Sequence, residues 1–215
     1  MNIVVFGATG NIGRRIVKEA VARGHSVVAV ARDPAKSKSS DTRVRMVQGD
    51  ATNAESVASV ARGADAVVNA ISPRPGSVGK VPSLVEAART LLRALPRAGV
   101  KRLLVVGGAG SLADASGVQI VDEPAFPAAY KPEALEQRDA LEVYRREGGG
   151  MDWTYLSPAA VIHAGERTGK YRTGGDQLIT DDAGESKISF ADYAIAMVDE
   201  LEQHRHSRAR FTAAY

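Results

Sequence analysis

Gly7, Gly10 and Gly13 stand three residues apart near the start of the chain, in the run Gly7-Ala8-Thr9-Gly10-Asn11-Ile12-Gly13. Asn2–Phe6 before it reads as a short buried strand. Residues 14–23 after it read as an amphipathic helix with Ile12, Ile16, Val17, Ala20 and Val21 on one face and Gly24 as its stop. A strand, a glycine turn and a helix N-terminus together bind an anion: free backbone N–H groups and the positive end of the helix dipole both face it. In this pattern Gly7 permits the tight turn, Gly10 lets the backbone approach a pyrophosphate, and Gly13 lets the helix pack close to the strand. Thr9, Asn11 and Ile12 complete the turn around the phosphates. The chemistry implied is dinucleotide binding.

The residue ending the second strand then reads the adenosine ribose. Ala31-Arg32-Asp33 holds that place, about 25 residues after the first glycine. Arg32 can grip a 2′-phosphate through its fork of donors, with Lys36 and Lys38 adding positive potential, which favours NADP and leaves NAD as the second choice. Two alternatives stay open: Asp33 as the ribose ligand, and Arg32 as a solvated side chain. Asp50, followed by Ala51, is placed to accept a bond from the adenine amine, or to serve as a turn or helix-capping aspartate. Ala70, Ile71 and Ser72 should pass beneath the middle of the cofactor.

Apolar runs and helical stretches alternate along the whole chain. Strands are expected at 2–6, 26–31, 43–47, 66–71, 102–106, 153–156 and near 210–213, and helices at 14–23, 53–61, 83–95, 132–146 and 192–203. This alternation predicts an α/β chain with a Rossmann-like, doubly wound parallel sheet, right-handed crossovers and helices on both faces. One domain should span residues 1–215. Three connections break the rhythm: 72–81, 107–130 and 159–177. All leave strand carboxyl ends on the edge where open α/β sheets bind ligands, so substrate contacts are expected mainly within 107–131 and 159–190.

Composition excludes several classes. With 44% hydrophobic and 25% charged residues and a net charge of +3, the chain reads as an ordinary globular protein, not a nucleic-acid binder. Cysteine is absent, which rules out disulfides and thiolate chemistry. Met1 leads straight into the first strand and no apolar run approaches a membrane span, so a soluble cytoplasmic monomer or homodimer without membrane partners is expected. His204 and His206 show no carboxylate or thiolate company in sequence; no metal site is expected, and 204–208 reads as a solvated turn. His25, beside the Gly24 stop, reads as structural.

The runs GATGNIG, VVAVARDP, VQGDAT and AVVNAIS resemble atypical short-chain dehydrogenase/reductases. The later LLVVGGAGSL, DWTYLSPAA, GERTGKYR and SFADYAIAMVDELE resemble the NAD(P)H-binding, NADH-flavin reductase subgroup, and the likeness covers nearly the whole chain. It implies a compact Rossmann domain with a small C-terminal substrate-binding part, and contact between Pro158 and the carboxamide side of the cofactor. Most short-chain dehydrogenases use a Tyr-x-x-x-Lys pair as acid. Here the residues four after Tyr130, Tyr144, Tyr155, Tyr171 and Tyr193 are Ala134, Gly148, Ala159, Gly175 and Met197, so that acid is missing.

A flavin or quinone suits such a site, because hydride transfer to an electron-poor ring needs stacking and exclusion of water more than a dedicated acid. FMN or FAD is then a substrate. Gly107 and Gly108 would let a flat ring lie close to the nicotinamide. Ser111 and Tyr130 are the catalytic candidates, the phenol standing beside Lys131 as a substitute for the missing pair. Tyr130, His163 and Arg167 are the substrate-binding candidates, and Arg167, Lys170, Tyr171 and Arg172 could clamp an anionic group. Each has a plain alternative in capping, packing or solvation. Three readings result: an NAD(P)H-dependent reductase of flat conjugated molecules, a tailoring oxidoreductase or monooxygenase of polycyclic aromatics, and a non-catalytic NADP sensor.

Overall fold

A computed structural model describes residues 1–36, 41–72 and 83–215, without the side chain of Lys36. The strands are β1 (Asn2–Phe6), β2 (Ser26–Ala31), β3 (Val44–Gln48), β4 (Ala66–Asn69), β5 (Arg102–Val106), β6 (Asp152–Pro158), β7 (Val161–His163), β8 (Arg172–Gly174), β9 (Lys187–Ser189) and β10 (Ala209–Ala214). The helices are α1 (Gly13–Ala22), α2 (Ala54–Ala61), α3 (Leu84–Ala94), α4 (Lys131–Glu147) and α5 (Phe190–Gln203). Eight strands form one sheet in the order β3-β2-β1-β4-β5-β6-β10-β8. The strand order reverses between β1 and β4, and a crevice opens there at the strands' carboxyl ends.

Alternation along each strand builds two cores. Ile3 and Val5 face one side of β1, with Val68, Leu104, Leu156 and the buried stripes of α1 and α5. Val4 and Phe6 face the other, with Val67, Leu103, Trp153, Tyr155 and α2, α3 and α4. Central strands buried on both faces read as unbroken apolar runs, which is how β1, β4 and β5 look in sequence. The inner stripe expected for the third helix, Leu84, Ala87, Ala88, Leu91 and Leu95, is fully buried. α1 ends as its sequence predicts: the His25 amide donates to Ala20 O and the Gly24 amide to Val21 O, both at 3.0 Å.

The doubly wound sheet is parallel as expected except at one edge, where β8 runs antiparallel to β10. One expectation needs correction. The segment after β6 is not one long loop: it holds β7, β8 and β9, with β7 and β9 paired in a separate parallel ribbon. Three-residue strands interrupted by glycine and charge are too short to show a period of two. The 72–81 connection falls, apart from Ser72, outside the described residues.

Candidate functional site

The turn after β1 is shaped for an anion. Gly7 has φ +73°, and a Cβ there would lie 2.5 Å from Ala70 O. A Cβ on Gly13 would lie 2.2 Å from Gly7 O, so only glycine lets α1 start this close to the strand. The Gly10 amide closes the turn onto Gly7 O at 3.0 Å. The amides of Asn11, Ile12 and Gly13 donate to no acceptor among the described residues. α1 also carries no side-chain cap, which leaves its positive end open. These residues fit a diphosphate.

A cleft of about 450 Å³ runs from this turn along the ends of β1, β2, β3 and β4, lined by Gly7, Thr9, Gly10, Arg32, Asp50, Ala51, Ala70, Ile71 and Ser72. Arg32 is exposed, and among the described residues its guanidinium makes no ion pair; its carbonyl accepts from Gln48 Nε2 at 3.2 Å. Asp50 Oδ1 accepts from the amide and hydroxyl of Thr52 at 2.9 and 2.8 Å. Asp50 is thus a turn aspartate that also faces the cleft. Lys38 lies outside the described residues, as does the side chain of Lys36.

Beyond Ser72 the groove continues into a second cleft of about 450 Å³. Ile12, Val106, Gly107 to Gly110, Phe126, Pro127, Pro158 to Ile162 and the start of α4 line it. Tyr130, 54% exposed, stands at its rim in the position that opens α4. Lys131 begins that helix but does not line the cleft. Glu133, one turn on, is a cleft residue that the sequence reading missed. Its Oε1 accepts from Ser72 Oγ at 2.7 Å. Burial pushes the Glu133 carboxyl up, the Ser72 bond pulls it back, and the nearby Glu136 carboxylate adds to the rise. A first-turn Glu on a helix ordinarily reads as a dipole-complementing surface residue, which is why no sequence signal marked it.

Gly107 and Gly108 line the cleft as expected of site residues, and the missing side chain of Gly107 also makes room for the protein itself: a Cβ there would lie 2.0 Å from the Tyr155 ring. The Tyr155 hydroxyl donates to Gln137, to its carbonyl and Oε1 at 3.0 Å each, and accepts from the Gly108 amide at 3.3 Å. Other expected site residues are placed elsewhere. Ser111 is buried and absent from the cleft lining, because the turn closed by Leu112 N onto Ala109 O aims it at Arg210. Arg210 Nη1 donates to Ser111 Oγ at 3.4 Å. His163 ends β7 with Nδ1 2.9 Å from Ala164 O; its neighbours Val161 and Ile162 line the cleft and it does not.

Residues 167–172 read in sequence as an anion clamp or a solvated charged loop; the contacts in this structure tie Arg167, Tyr171 and Arg172 to the protein itself. Arg167 Nε and Nη2 hold both oxygens of Glu19 on α1 at 2.9 and 2.8 Å. Glu19 is buried, and a buried carboxylate draws the nearest guanidinium. The Tyr171 hydroxyl donates to Asp199, and Arg172 Nη2 to the carbonyls of Thr180 and Tyr215. What holds this segment is Asp192, fully buried on α5. Its carboxylate accepts from the amides of Thr168 and Gly169 and the hydroxyls of Thr168 and Tyr215. Burial raises this carboxyl, but those donors outweigh it and hold it below the ordinary 3.8.

The histidines near the C-terminus also differ from expectation. His206 Nδ1 lies 2.7 Å from Glu200 Oε2, and its ring stacks on Phe211 at 4.1 Å. His204 Nδ1 approaches Asp152 at 3.7 Å. Glu200 stands only six residues before His206, a local carboxylate that the sequence does offer, whereas Asp152 comes from β6. His25 is structural as read, with Nε2 2.9 Å from Glu202. Among the described residues no His, Asp and Glu group could hold a metal ion. None of the described helices is long and apolar enough to cross a membrane.

The chain has relatives along its full length. YwnB, an uncharacterized protein of Bacillus subtilis, is 43% identical over 99% of this chain and 97% of its own. A structure from Bacteroides thetaiotaomicron, named as a proposed epimerase, is 37% identical with a TM-score of 0.91, covering 100% of this chain and 96% of that one. A proposed NADH-flavin reductase from Streptococcus pneumoniae is 35% identical with a TM-score of 0.86, covering 100% and 99%. Residues 7–204, from the first glycine of the turn to the end of α5, match the NAD(P)H-binding family. The open amides at the head of α1 agree with that match, and the chain belongs to the NAD(P)H-binding family.

Proposed function

We propose that this protein is an NAD(P)H-dependent oxidoreductase that reduces a flat, conjugated small molecule of the flavin or quinone type, with NADPH preferred. The carrying observation is the continuity of the groove: the anion-binding turn and the second, largely apolar cleft meet at Ser72. The family match supports nucleotide binding, and the Streptococcus relative's name supports the reductase reading. When bound, the nicotinamide nucleotide would supply the hydride.

The chain's own residues divide the remaining tasks. Gly7, Gly10 and the amides of residues 11–13 hold the diphosphate, and Arg32 grips the ribose 2′-phosphate. Asp50 offers its carboxylate to the adenine amine. Ala70, Ile71 and Ser72 form the floor, and Pro158 closes the far side near the carboxamide. Ile12, Phe126, Pro127 and Val161 exclude water from the second cleft, and Tyr130 stacks or bonds at its rim.

NADPH consumption with menadione, riboflavin, FMN or no acceptor tests the assignment. A rate with at least one acceptor well above the acceptor-free rate is expected. If NADPH binds and no acceptor raises its oxidation, the reductase reading fails and a nucleotide sensor takes its place.

A further inference from the structure

The second cleft has a one-sided charge. Among the described residues no lysine, arginine or histidine lines it. Lys131 and Arg138 adjoin lining residues on α4 but do not line the cleft, and Arg138 pairs with Asp122; Arg167 is held by Glu19, Arg172 by backbone carbonyls and Arg210 by Asp176. Four polar side chains remain: Ser72, Tyr130, Glu133 and Gln137. Gln137 is committed to the Tyr155 hydroxyl. The only formal charge the lining can offer, among the described residues, is the negative one of Glu133. Glu136 lies close behind it, with Oε1 fastened to the Leu84 amide at the head of α3 at 2.9 Å.

A phosphate seated here would give up its hydration, meet a carboxylate and find no described counter-charge; each of these disfavours it. The groove's anion site is the turn at α1, and a bound nicotinamide dinucleotide would fill it. A neutral ring meets the opposite situation. Its faces would lie against Ile12, Pro127 and Val161, and a ring N–H would donate to the Glu133 carboxylate, which also accepts from the Ser72 hydroxyl.

We propose that the acceptor is an unphosphorylated isoalloxazine, an uncharged planar oxidant whose ring N–H donates to the Glu133 carboxylate beside Ser72, and that the cleft turns away flavin nucleotides by charge. This rests on the reductase reading above, and narrows it to one chemical class. Specificity of this kind uses a repulsive element as well as an attractive one.

Flavin fluorescence quenching with the protein saturated in NADP⁺ gives the test, comparing riboflavin with FMN, two ligands alike except for the phosphate. Riboflavin should bind about tenfold more tightly than FMN, the scale of one like-charge contact in a partly buried site. Glu133→Gln should narrow the ratio of riboflavin to FMN affinity by about threefold or more, and Glu133→Lys should abolish or reverse it. FMN binding as tightly as riboflavin to the unaltered protein overturns the inference, as does failure of riboflavin to bind. NADPH oxidation with equal KM for riboflavin and FMN would also remove it while leaving the reductase reading intact. Selective riboflavin binding without any turnover would support the cleft's selectivity and remove the reductase reading.

Discussion

The two ends of the groove are built from different materials. At the nucleotide end the lining comes from the short turns that leave β1, β2, β3 and β4, and backbone atoms carry the shape. Gly7 and Gly13 are spaced by van der Waals contact with the peptide groups of Ala70 and Gly7, and the amides that face the ligand belong to no particular side chain. At the acceptor end the lining is gathered from the head of α1, the turn after β5, the start of α4 and the residues after β6. Side chains decide what that end can do, and the structure redirects most of those that looked available. Buried carboxylates explain the redirection. Glu19 takes Arg167, Glu200 takes Arg102 and His206, and Asp192 takes the amides of Thr168 and Gly169. Removing one partner of a buried charge costs roughly 3–5 kcal/mol, so nearby donors serve the fold before they serve a ligand.

Substitutions can separate the two ends, and the largest effect should come from Gly13→Ala. Its Cβ would overlap Gly7 O at 2.2 Å, forcing the turn and α1 apart. Calorimetry should show NADPH affinity falling by about 100-fold or more, with riboflavin binding changed little. Equal loss of both ligands would mean that the ends are mechanically one unit. Next in size is Asp192→Asn, which weakens the node under the acceptor-side segment by about 2 kcal/mol. The Asp192 carboxyl is held below 3.8 in the folded chain, so its stabilising effect is complete above that pH and lost as pH falls through the lower folded value. Urea unfolding of both forms should therefore show a constant gap near neutrality that closes in acid. A gap independent of pH would exclude the ionised carboxylate as its source.

Arg32→Ala comes third. NADPH should bind about tenfold more weakly with NADH nearly unaffected, the signature of a 2′-phosphate contact. Equal losses would reassign the ribose-reading role. The smallest effect is expected for Arg167→Ala. Arg23 still pairs with Glu19 at 2.9 Å and Arg167 itself faces water, so stability should drop by only about 0.5–1 kcal/mol. The KM for an uncharged acceptor should not move. A large rise in KM would put Arg167 back among the ligand contacts and blur the difference between the ends.

Legibility in the sequence follows the same division. β2 and β5 occupy the spans expected from their apolar runs, and the helices fall within two residues of theirs. Glycine spacing, a strand before it and an amphipathic stretch after it are local signals, and hydrogen bonding within one βα unit turns them into structure. β7, β8 and β9 escaped because three-residue strands take their pairing from partners elsewhere: β8 lies along β10, and β7 along β9. Ser111 looked like a substrate-facing serine, yet the orientation of one turn relative to β10 gives it to Arg210. Glu133 carries no sequence signal, and joins the cleft only because α4 brings it against Ser72, beyond the end of β4.

From the order of residues alone came the alternating strands and helices and an anion-binding turn at the first helix. Each depends on contacts between residues close in sequence, where periodicity and glycine placement suffice. Only the tertiary structure decided which charged side chains remain free for a ligand. That outcome depends on pairings across 24 to 148 residues, such as Asp192 with Thr168 and Arg167 with Glu19. Burial, not sequence distance, selects the partners.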